Sequence, residues 1–173
     1  MNTDAFIRTS LEEKAQRFAA HPAEGQGTAV SRVRLREGLT CDVQEGDWKL
    51  VASMPQAIGG SSEGPTPGTL GRAAFGTCLA LSYAMWAARL GVPLDSLEVD
   101  VHADYDARGE LDASSEVRPG YLEVRWVVRV ASAAAEEEVL RVLDTADRRS
   151  TFVDLFAHGV PLRREVRIAA PAA

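Results

Sequence analysis

The feature that most constrains the fold is a long uncharged segment in the middle of the chain. Residues 73–88 contain no charged side chain and are closed by an arginine at each end. This segment is shorter than the roughly 20 residues that a membrane-spanning helix needs, so it predicts a buried helix of a globular protein. Gly91 and Pro93 are typical stop signals, which places the helix from about Pro67 to Leu90.

The predicted central helix is apolar nearly all round, and such a helix must be covered on most sides. A chain of 173 residues has little material with which to surround it. We therefore expect a second subunit to supply part of the cover, which predicts a homodimer.

The other segments show either the helical or the strand period. Pro22, Gly25 and Gly27 separate a first helical segment from the rest, which predicts a helical arm over residues 1–27 and one domain over residues 28–173. The predicted elements are a helix at 4–19, a three-stranded meander within 28–53, strands at 97–105 and 122–130, a helix at 133–149, a short helix at 151–157 and a last strand at 160–168. Adjacent runs of strands indicate an α+β fold with antiparallel sheets packed around the central helix.

Composition and charge exclude several classes of protein. Hydrophobic residues make up 46% and charged residues 25% of the chain, as in ordinary globular domains. A net charge of −6 argues against a nucleic acid or an anionic membrane as partner. Two cysteines are too few for a disulfide scaffold, and the amino-terminal segment lacks the apolar run of a secretory signal. We expect a cytoplasmic protein.

Two patterns resemble ligand-binding motifs, but each lacks a residue that the motif needs. Gly59 and Gly64 have the spacing of a phosphate-binding loop, but Pro65 follows where that motif needs lysine. His102 alternates with acidic residues on one strand face, and no second histidine lies nearby in the sequence. The arginines of the next strand, Arg125 and Arg129, can oppose those carboxylates instead. We therefore predict a solvated ladder of charges, no metal and no cofactor.

The remaining candidates are two thiols and a serine. Cys78 lies within the central helix, where a small side chain usually serves packing, and a reactive thiol there needs a nearby cation. Cys41 shares a strand face with apolar residues and is expected to be buried and inert. Ser150 separates two helical segments, which favours a helix cap over a nucleophile.

Three motifs together resemble the OsmC/Ohr superfamily, the osmotically inducible protein C and organic hydroperoxide resistance proteins. The first is Gly59-Gly60-Ser-Ser-Glu-Gly64-Pro65-Thr66-Pro67, and the second is Ala73-Ala-Phe-Gly-Thr-Cys78 with the helix exit Arg89-Leu-Gly-Val-Pro93. The third is Phe156-Ala-His-Gly-Val-Pro-Leu162 before the predicted last strand. The resemblance covers about residues 28–168.

This resemblance implies an intertwined α+β homodimer, and many members of the family reduce organic hydroperoxides with a pair of cysteines. Cys78 stands at the position of the peroxidatic cysteine on the central helix. The arginine that stabilises its thiolate in the family corresponds to Arg36, with Arg34 as the alternative because the strand register is open.

The sequence departs from the family pattern at two positions. Gly68-Thr69 stands where peroxidase members carry the glutamate that orients the arginine, with Thr69 at the family position, so we expect that charge to be missing. Ser150 stands at the position of the resolving cysteine and cannot form a disulfide. Cys41 is the one other thiol that could take over that role.

Two main hypotheses follow. The first is a thiol peroxidase that reduces organic hydroperoxides through Cys78 and is restored by an external thiol or by Cys41. The second is a noncatalytic dimeric module that has kept the fold and binds a small hydrophobic ligand. Hydrolase chemistry through Ser150 ranks last, because the sequence offers no base for it.

Overall fold

The computed structural model describes residues 3–169 and has the predicted α+β architecture. The elements are α1 (Thr3–Ala20), β1 (Arg32–Leu35), β2 (Thr40–Glu45), β3 (Trp48–Ser53), α2 (Pro67–Leu90), β4 (Ser96–Asp104), α3 (Ala107–Glu110), β5 (Glu123–Ala131), α4 (Glu136–Asp147) and α5 (Thr151–His158). Short 3-10 turns at Pro22–Gly25 and Gln56–Ile58 lie before β1 and α2. The predicted order of helices and strands is confirmed up to α5, except that the short helix α3 was not predicted.

The strands form two separate antiparallel sheets. The meander sheet has the order β1-β2-β3, and β4 pairs with β5 in a two-stranded sheet. In the second sheet Val99 lies opposite Val128 and Val101 opposite Trp126, so alternate apolar side chains face the same side. That side packs on α2.

The central helix α2 begins and ends at the predicted residues. The Thr66 side chain accepts a hydrogen bond from the Thr69 backbone N–H, and Gly91 ends the helix in the left-handed conformation with φ 71°. Phe75, Leu79 and Tyr83 point from α2 into the main core, where they meet Ala146 of α4. None of the helices in residues 3–169 combines the length and the hydropathy that crossing a bilayer requires.

Burial of α2 is one-sided within the single chain. The helix packs against β4, α4, α5 and α1. On its remaining side Leu81 is 66% exposed and Met85 is also exposed. This is the side for which the sequence predicts cover by a second subunit, and no element within residues 3–169 packs over it.

The amino-terminal helix lies against α2 rather than standing free. Ile7, Leu11 and Phe18 recur at helical spacing and are half-buried, whereas Ala15 in the same series is exposed. No residue of α1 is fully buried. The contact is therefore shallow compared with the packing of α4 on the same helix.

The predicted last strand at 160–168 is wrong for the single chain. These residues form no helix or strand, and the apolar side chains of Val160, Leu162, Val166 and Ile168 are exposed. A strand needs a neighbour for its backbone N–H and C=O groups, and within residues 3–169 the chain offers none here. The alternating pattern of this segment therefore has no partner strand within residues 3–169.

The arginine ladder on the outer face of the β4–β5 sheet is confirmed. Arg125 pairs with Asp104 and Glu123, and Arg129 pairs with Asp100 at 2.6 Å. His102 lies opposite Arg125 in the strand register. Among the described residues no group of three or more ligating side chains is arranged to hold a metal ion.

The meander sheet has an uncovered apolar face. The strand register places Val33, Val43 and Leu50 in one row across the sheet, and Leu35, Cys41 and Ala52 in the next. Val33, Leu35 and Leu50 are exposed, and Trp48 at the end of the sheet is 84% exposed. Among the described elements, none packs extensively on these strands apart from the strands themselves.

Candidate thiol site on the central helix

The structure brings Cys78 of α2 next to Ser150 between α4 and α5. The Cys78 Sγ and Ser150 Oγ atoms are 3.6 Å apart, within hydrogen-bonding distance for sulfur. Cys78 is half-buried, and Ser150 is only 3% exposed. Two residues that are 72 positions apart in the sequence therefore form one polar contact where α2 meets the junction of α4 and α5.

The position of Ser150 follows from its role as the cap of α5. Its Oγ accepts a hydrogen bond of 3.4 Å from the Val153 backbone N–H, as predicted for a helix cap. Its own backbone N–H donates to the Asp147 carbonyl at 3.2 Å, which continues the last turn of α4. Because the oxygen accepts from Val153, the hydroxyl proton is free to point toward the Cys78 sulfur.

A second polar link ties α2 to the same region. The Tyr83 hydroxyl donates to the Asp147 Oδ1 atom at 2.6 Å and accepts from the Trp126 indole Nε1–H at 3.2 Å. Burial raises the pKa of the Asp147 carboxyl, and the charge of Asp144 adds to this, while the Tyr83 hydrogen bond lowers it. Burial also raises the pKa of the Tyr83 hydroxyl, and the Asp147 hydrogen bond reinforces that shift.

An aromatic cavity lies one helical turn from the thiol. It has a volume of about 570 Å³, and its walls include Phe75, Tyr121, Trp126 and Phe156. Phe75 meets Trp126 and Phe156 edge to face, with ring centres 5.4 Å and 5.2 Å apart. Phe75 precedes Cys78 by three positions, and Val153 of the wall bonds Ser150. Cys78 and Ser150 do not line the cavity, and its wall is linked to their contact through Phe75 and Val153.

Arg36 is held by two carboxylates, so the expectation that it lacks an orienting charge is wrong. Its Nη2 atom donates to Glu63 Oε2 at 2.9 Å, and its Nε atom lies 3.4 Å from Asp42 Oδ1. The Arg36 hydrogen bond lowers the pKa of the Glu63 carboxyl, with help from Ser61. Thr69 contacts Thr66 and Arg72 instead.

Glu63 lies on a tightly built loop between β3 and α2. A side chain at Gly60 would place its Cβ atom 1.8 Å from the Met54 carbonyl oxygen, and one at Gly64 would come 2.0 Å from the Val51 carbonyl oxygen. Only glycine allows the backbone to approach so closely. The loop glycines therefore serve this packing, and the loop presents Glu63 to the arginine of the meander sheet.

The other predicted site residues do not meet Cys78 within one chain. In residues 3–169 no hydrogen bond joins Cys78 to Arg36, Arg34 or Cys41, and both cysteines are free thiols. Cys41 lies in β2 between Leu35 and Ala52 of the neighbouring strands and is half-buried. Arg34 lies opposite Asp42 in the strand register.

Sequence reasoning missed two carboxylates of this region. Glu63 is the one acidic residue in the Gly-Pro-rich loop between residues 55 and 68, and this isolated charge is the feature by which the sequence could have indicated it. Asp147 gives no signal, because it stands among other charged residues near the end of an amphipathic helix. Its contact with Tyr83 depends on how α4 packs on α2.

Comparison with solved structures shows one fold shared by several bacterial proteins. An OsmC-like protein from Mycoplasma pneumoniae is 12% identical with a TM-score of 0.66, covering 77% of this chain and 89% of that one. An organic hydroperoxide resistance protein OsmC from Legionella pneumophila is 15% identical with a TM-score of 0.55, covering 77% and 91%. An organic hydroperoxide resistance protein from Elizabethkingia anophelis is 13% identical with a TM-score of 0.55, covering 77% and 90%.

These likenesses show that the chain has the α+β fold of those proteins, and in this chain a half-buried thiol lies on the long central helix. The family model for OsmC-like proteins matches residues 59–165, from the Gly-Gly loop to the segment after α5. The chain belongs to the OsmC-like family. None of the curated proteins matches the sequence significantly.

Proposed function

We propose that the protein reduces organic hydroperoxides through Cys78. The Cys78 thiolate attacks the terminal oxygen of the hydroperoxide, the O–O bond breaks and an S–O bond forms. The sulfur is oxidised by two electrons to a sulfenic acid. The departing alkoxide takes a proton and leaves as an alcohol.

The contact between Cys78 and Ser150 is the observation that carries this proposal. A hydroxyl at 3.6 Å with its proton free to donate can stabilise a thiolate and orient its lone pair. Membership of the OsmC-like family and the hydroperoxide resistance proteins among the structural neighbours support the reaction class. The aromatic cavity supports an organic rather than an inorganic peroxide.

Regeneration takes an external thiol. A first thiol condenses with the sulfenic acid to give a mixed disulfide and water, and a second thiol releases Cys78 and leaves as the disulfide of the reductant. Ser150 cannot take the place of the first thiol, since a hydroxyl forms no disulfide. Cys41 forms neither a disulfide nor a hydrogen bond with Cys78 in the same chain, which supports a reductant from solution.

The active form in this proposal is a homodimer. Within residues 3–169 two apolar surfaces lack cover in the single chain, the Val33–Leu50 face of the meander sheet and the Leu81–Met85 side of α2. Exposed apolar area of this kind marks an interface, and the two surfaces match in character. The strand-like segment at 160–168 adds a third apolar element without a neighbour.

Dimerisation would also complete the site. Arg36 has no contact with Cys78 of its own chain, and it lies just beyond the meander sheet that needs cover. A meander sheet placed over the partner's α2 would carry Arg36 toward the partner's Cys78. There the guanidinium, steadied by Glu63, would stabilise the thiolate.

A noncatalytic ligand-binding role is the second candidate. It is favoured by the cavity of about 570 Å³ one helical turn from the thiol, which is of a size to take a small apolar molecule, and by the loss of the resolving cysteine. In this role Cys78 would stay reduced and the cavity would hold an apolar molecule unchanged.

The test is stopped-flow mixing of reduced protein with an alkyl hydroperoxide, followed by mass measurement of Cys78. We expect one equivalent of alcohol per thiol without added reductant, and continuous turnover with dithiothreitol. Cys78→Ser should abolish both, whereas Cys41→Ser is the matched control. A Cys78 thiol that stays reduced in millimolar peroxide would refute the peroxidase proposal, and the ligand-binding role would then be the better candidate. A disulfide between Cys41 and Cys78 would instead assign the resolving role to the strand cysteine.

A further inference from the structure

Two polar links join α2 to the junction between α4 and α5. Cys78 contacts Ser150 at 3.6 Å, and five residues further along α2 the Tyr83 hydroxyl bonds Asp147 at 2.6 Å. Asp147 ends α4 and Ser150 caps α5, so both links end on the same short segment. Trp126 of β5 holds the Tyr83 hydroxyl from the other side at 3.2 Å.

The second link lies in the core, where polar groups are rare. Tyr83 is 0% exposed and belongs to the same cluster as Phe75 and Leu79. A carboxylate that packs against such a cluster loses solvation, so the hydrogen bond between Asp147 and Tyr83 contributes little to the stability of the fold. A hydrogen bond of 2.6 Å does, however, allow only a narrow range of positions for α4 against α2.

The position of Asp147 determines the position of Ser150, because only two residues separate them in the chain. The Ser150 backbone N–H bonds the Asp147 carbonyl, so the two residues move together. A shift of α4 along α2 by about 1 Å would take the Ser150 hydroxyl out of reach of the Cys78 sulfur, since hydrogen bonds weaken steeply with distance.

We propose that Asp147, acting through the Tyr83 hydroxyl, is a positioning residue that holds the Ser150 hydroxyl against the Cys78 sulfur. The inference deepens the proposed function and rests on Cys78 being its reactive thiol. Neither Asp147 nor Tyr83 touches the reacting atoms. Their effect on Cys78 passes through Ser150.

The experiment is a double-mutant cycle on the rate at which Cys78 reacts. Ser150→Ala and Tyr83→Phe are each expected to slow the reaction with an alkyl hydroperoxide roughly fivefold, the equivalent of one hydrogen bond. The double variant should be no slower than Ser150→Ala alone. Tyr105→Phe, which removes an exposed tyrosine hydroxyl, is the matched control and should react like the parent protein.

Two variants of the carboxylate separate positioning from packing. Asp147→Asn keeps an oxygen that accepts from Tyr83 and should retain most of the rate, whereas Asp147→Ala should behave like Tyr83→Phe. Thermal melts identify any variant that fails to fold, and Asp147→Asn, which is nearly the same shape, keeps the test decisive in that case.

Each outcome bears on the proposal. If Tyr83→Phe slows the Cys78 reaction by the same factor in the Ser150→Ala variant as in the parent protein, the proposal is overturned, because the effect would not pass through Ser150. Unchanged rates in Tyr83→Phe would also overturn it. The same cycle is run with iodoacetamide, which alkylates any accessible thiol. A protein that reacts with iodoacetamide and shows the coupling but ignores peroxide would refute the proposed function and keep this inference.

Discussion

Placing a thiol at residue 150 should convert the site into a two-cysteine site. In the parent protein the Cys78 Sγ and Ser150 Oγ atoms are 3.6 Å apart, and a disulfide needs its two sulfurs at about 2.05 Å. The atoms must therefore approach by roughly 1.5 Å, which a rotation of the two side chains and a small shift of the α5 cap can supply. We expect Ser150→Cys to form this bond after one equivalent of hydroperoxide.

The stabilisation can be worked from the sequence separation. Cross-linking residues 72 positions apart removes about 4 kcal/mol of chain entropy from the unfolded state, by the loop-closure relation. With a urea dependence of about 2 kcal/mol per molar, the unfolding midpoint of the oxidised variant should rise by about 2 M. Strain in the native state would reduce this figure.

The assay has two readings on the same sample. Mass measurement without reductant should show a loss of two hydrogens after one equivalent of peroxide, and a urea titration should show the higher midpoint. Thr151→Cys is the matched control, because Thr151 is exposed and makes no hydrogen bond to Cys78. Oxidation of the Ser150→Cys variant to a stable sulfinic acid without a disulfide would refute the placement of Ser150 against the thiol. Equal cross-linking in both variants would do the same.

Three further predictions concern the surroundings of the site. Glu63→Gln should slow thiol oxidation more than Asp42→Asn, because Glu63 lies 2.9 Å from the Arg36 guanidinium and Asp42 lies 3.4 Å from it. Stopped-flow rates in the reverse order would contradict this. Trp48→Asp on the apolar face of the meander sheet should shift sedimentation toward the monomer, whereas Lys49→Asp on the opposite face should not; identical profiles would argue against that interface. Because burial raises the pKa of Asp147, its ionisation destabilises the folded state at neutral pH and that cost is lost as the pH falls. Asp147→Asn should therefore have a higher melting temperature than the parent at pH 7, and this difference should shrink toward pH 4. A difference in melting temperature that grows as the pH falls would contradict the burial of the carboxylate.

The elements of this fold follow from local sequence patterns. The central helix runs from Pro67 to Leu90 as predicted, because its stop signals act through the backbone of a few neighbouring residues. The arginine ladder was predictable for a similar reason, since the period of two places alternate side chains of β4 and β5 on one face. The family signature also lies in local motifs around Gly60 and Cys78.

The site, by contrast, is decided by contacts between distant segments. The sequence marks Cys78, Arg36 and Ser150 one at a time, but only the packing of α4 and α5 on α2 brings Ser150 to the thiol. Glu63 stands six residues before Thr69, the position where a family glutamate was expected, and the path of the glycine loop carries it to Arg36.

The same reason explains the one strand that was predicted wrongly. Residues 160–168 have the alternation of a strand, and alternation is a local property. Whether such a segment joins a sheet depends on a neighbour that offers free backbone groups, and the single chain provides none among its described residues. Periodicity determines which face of an element is apolar, whereas the tertiary structure determines what covers that face, because burial is a property of pairs of surfaces.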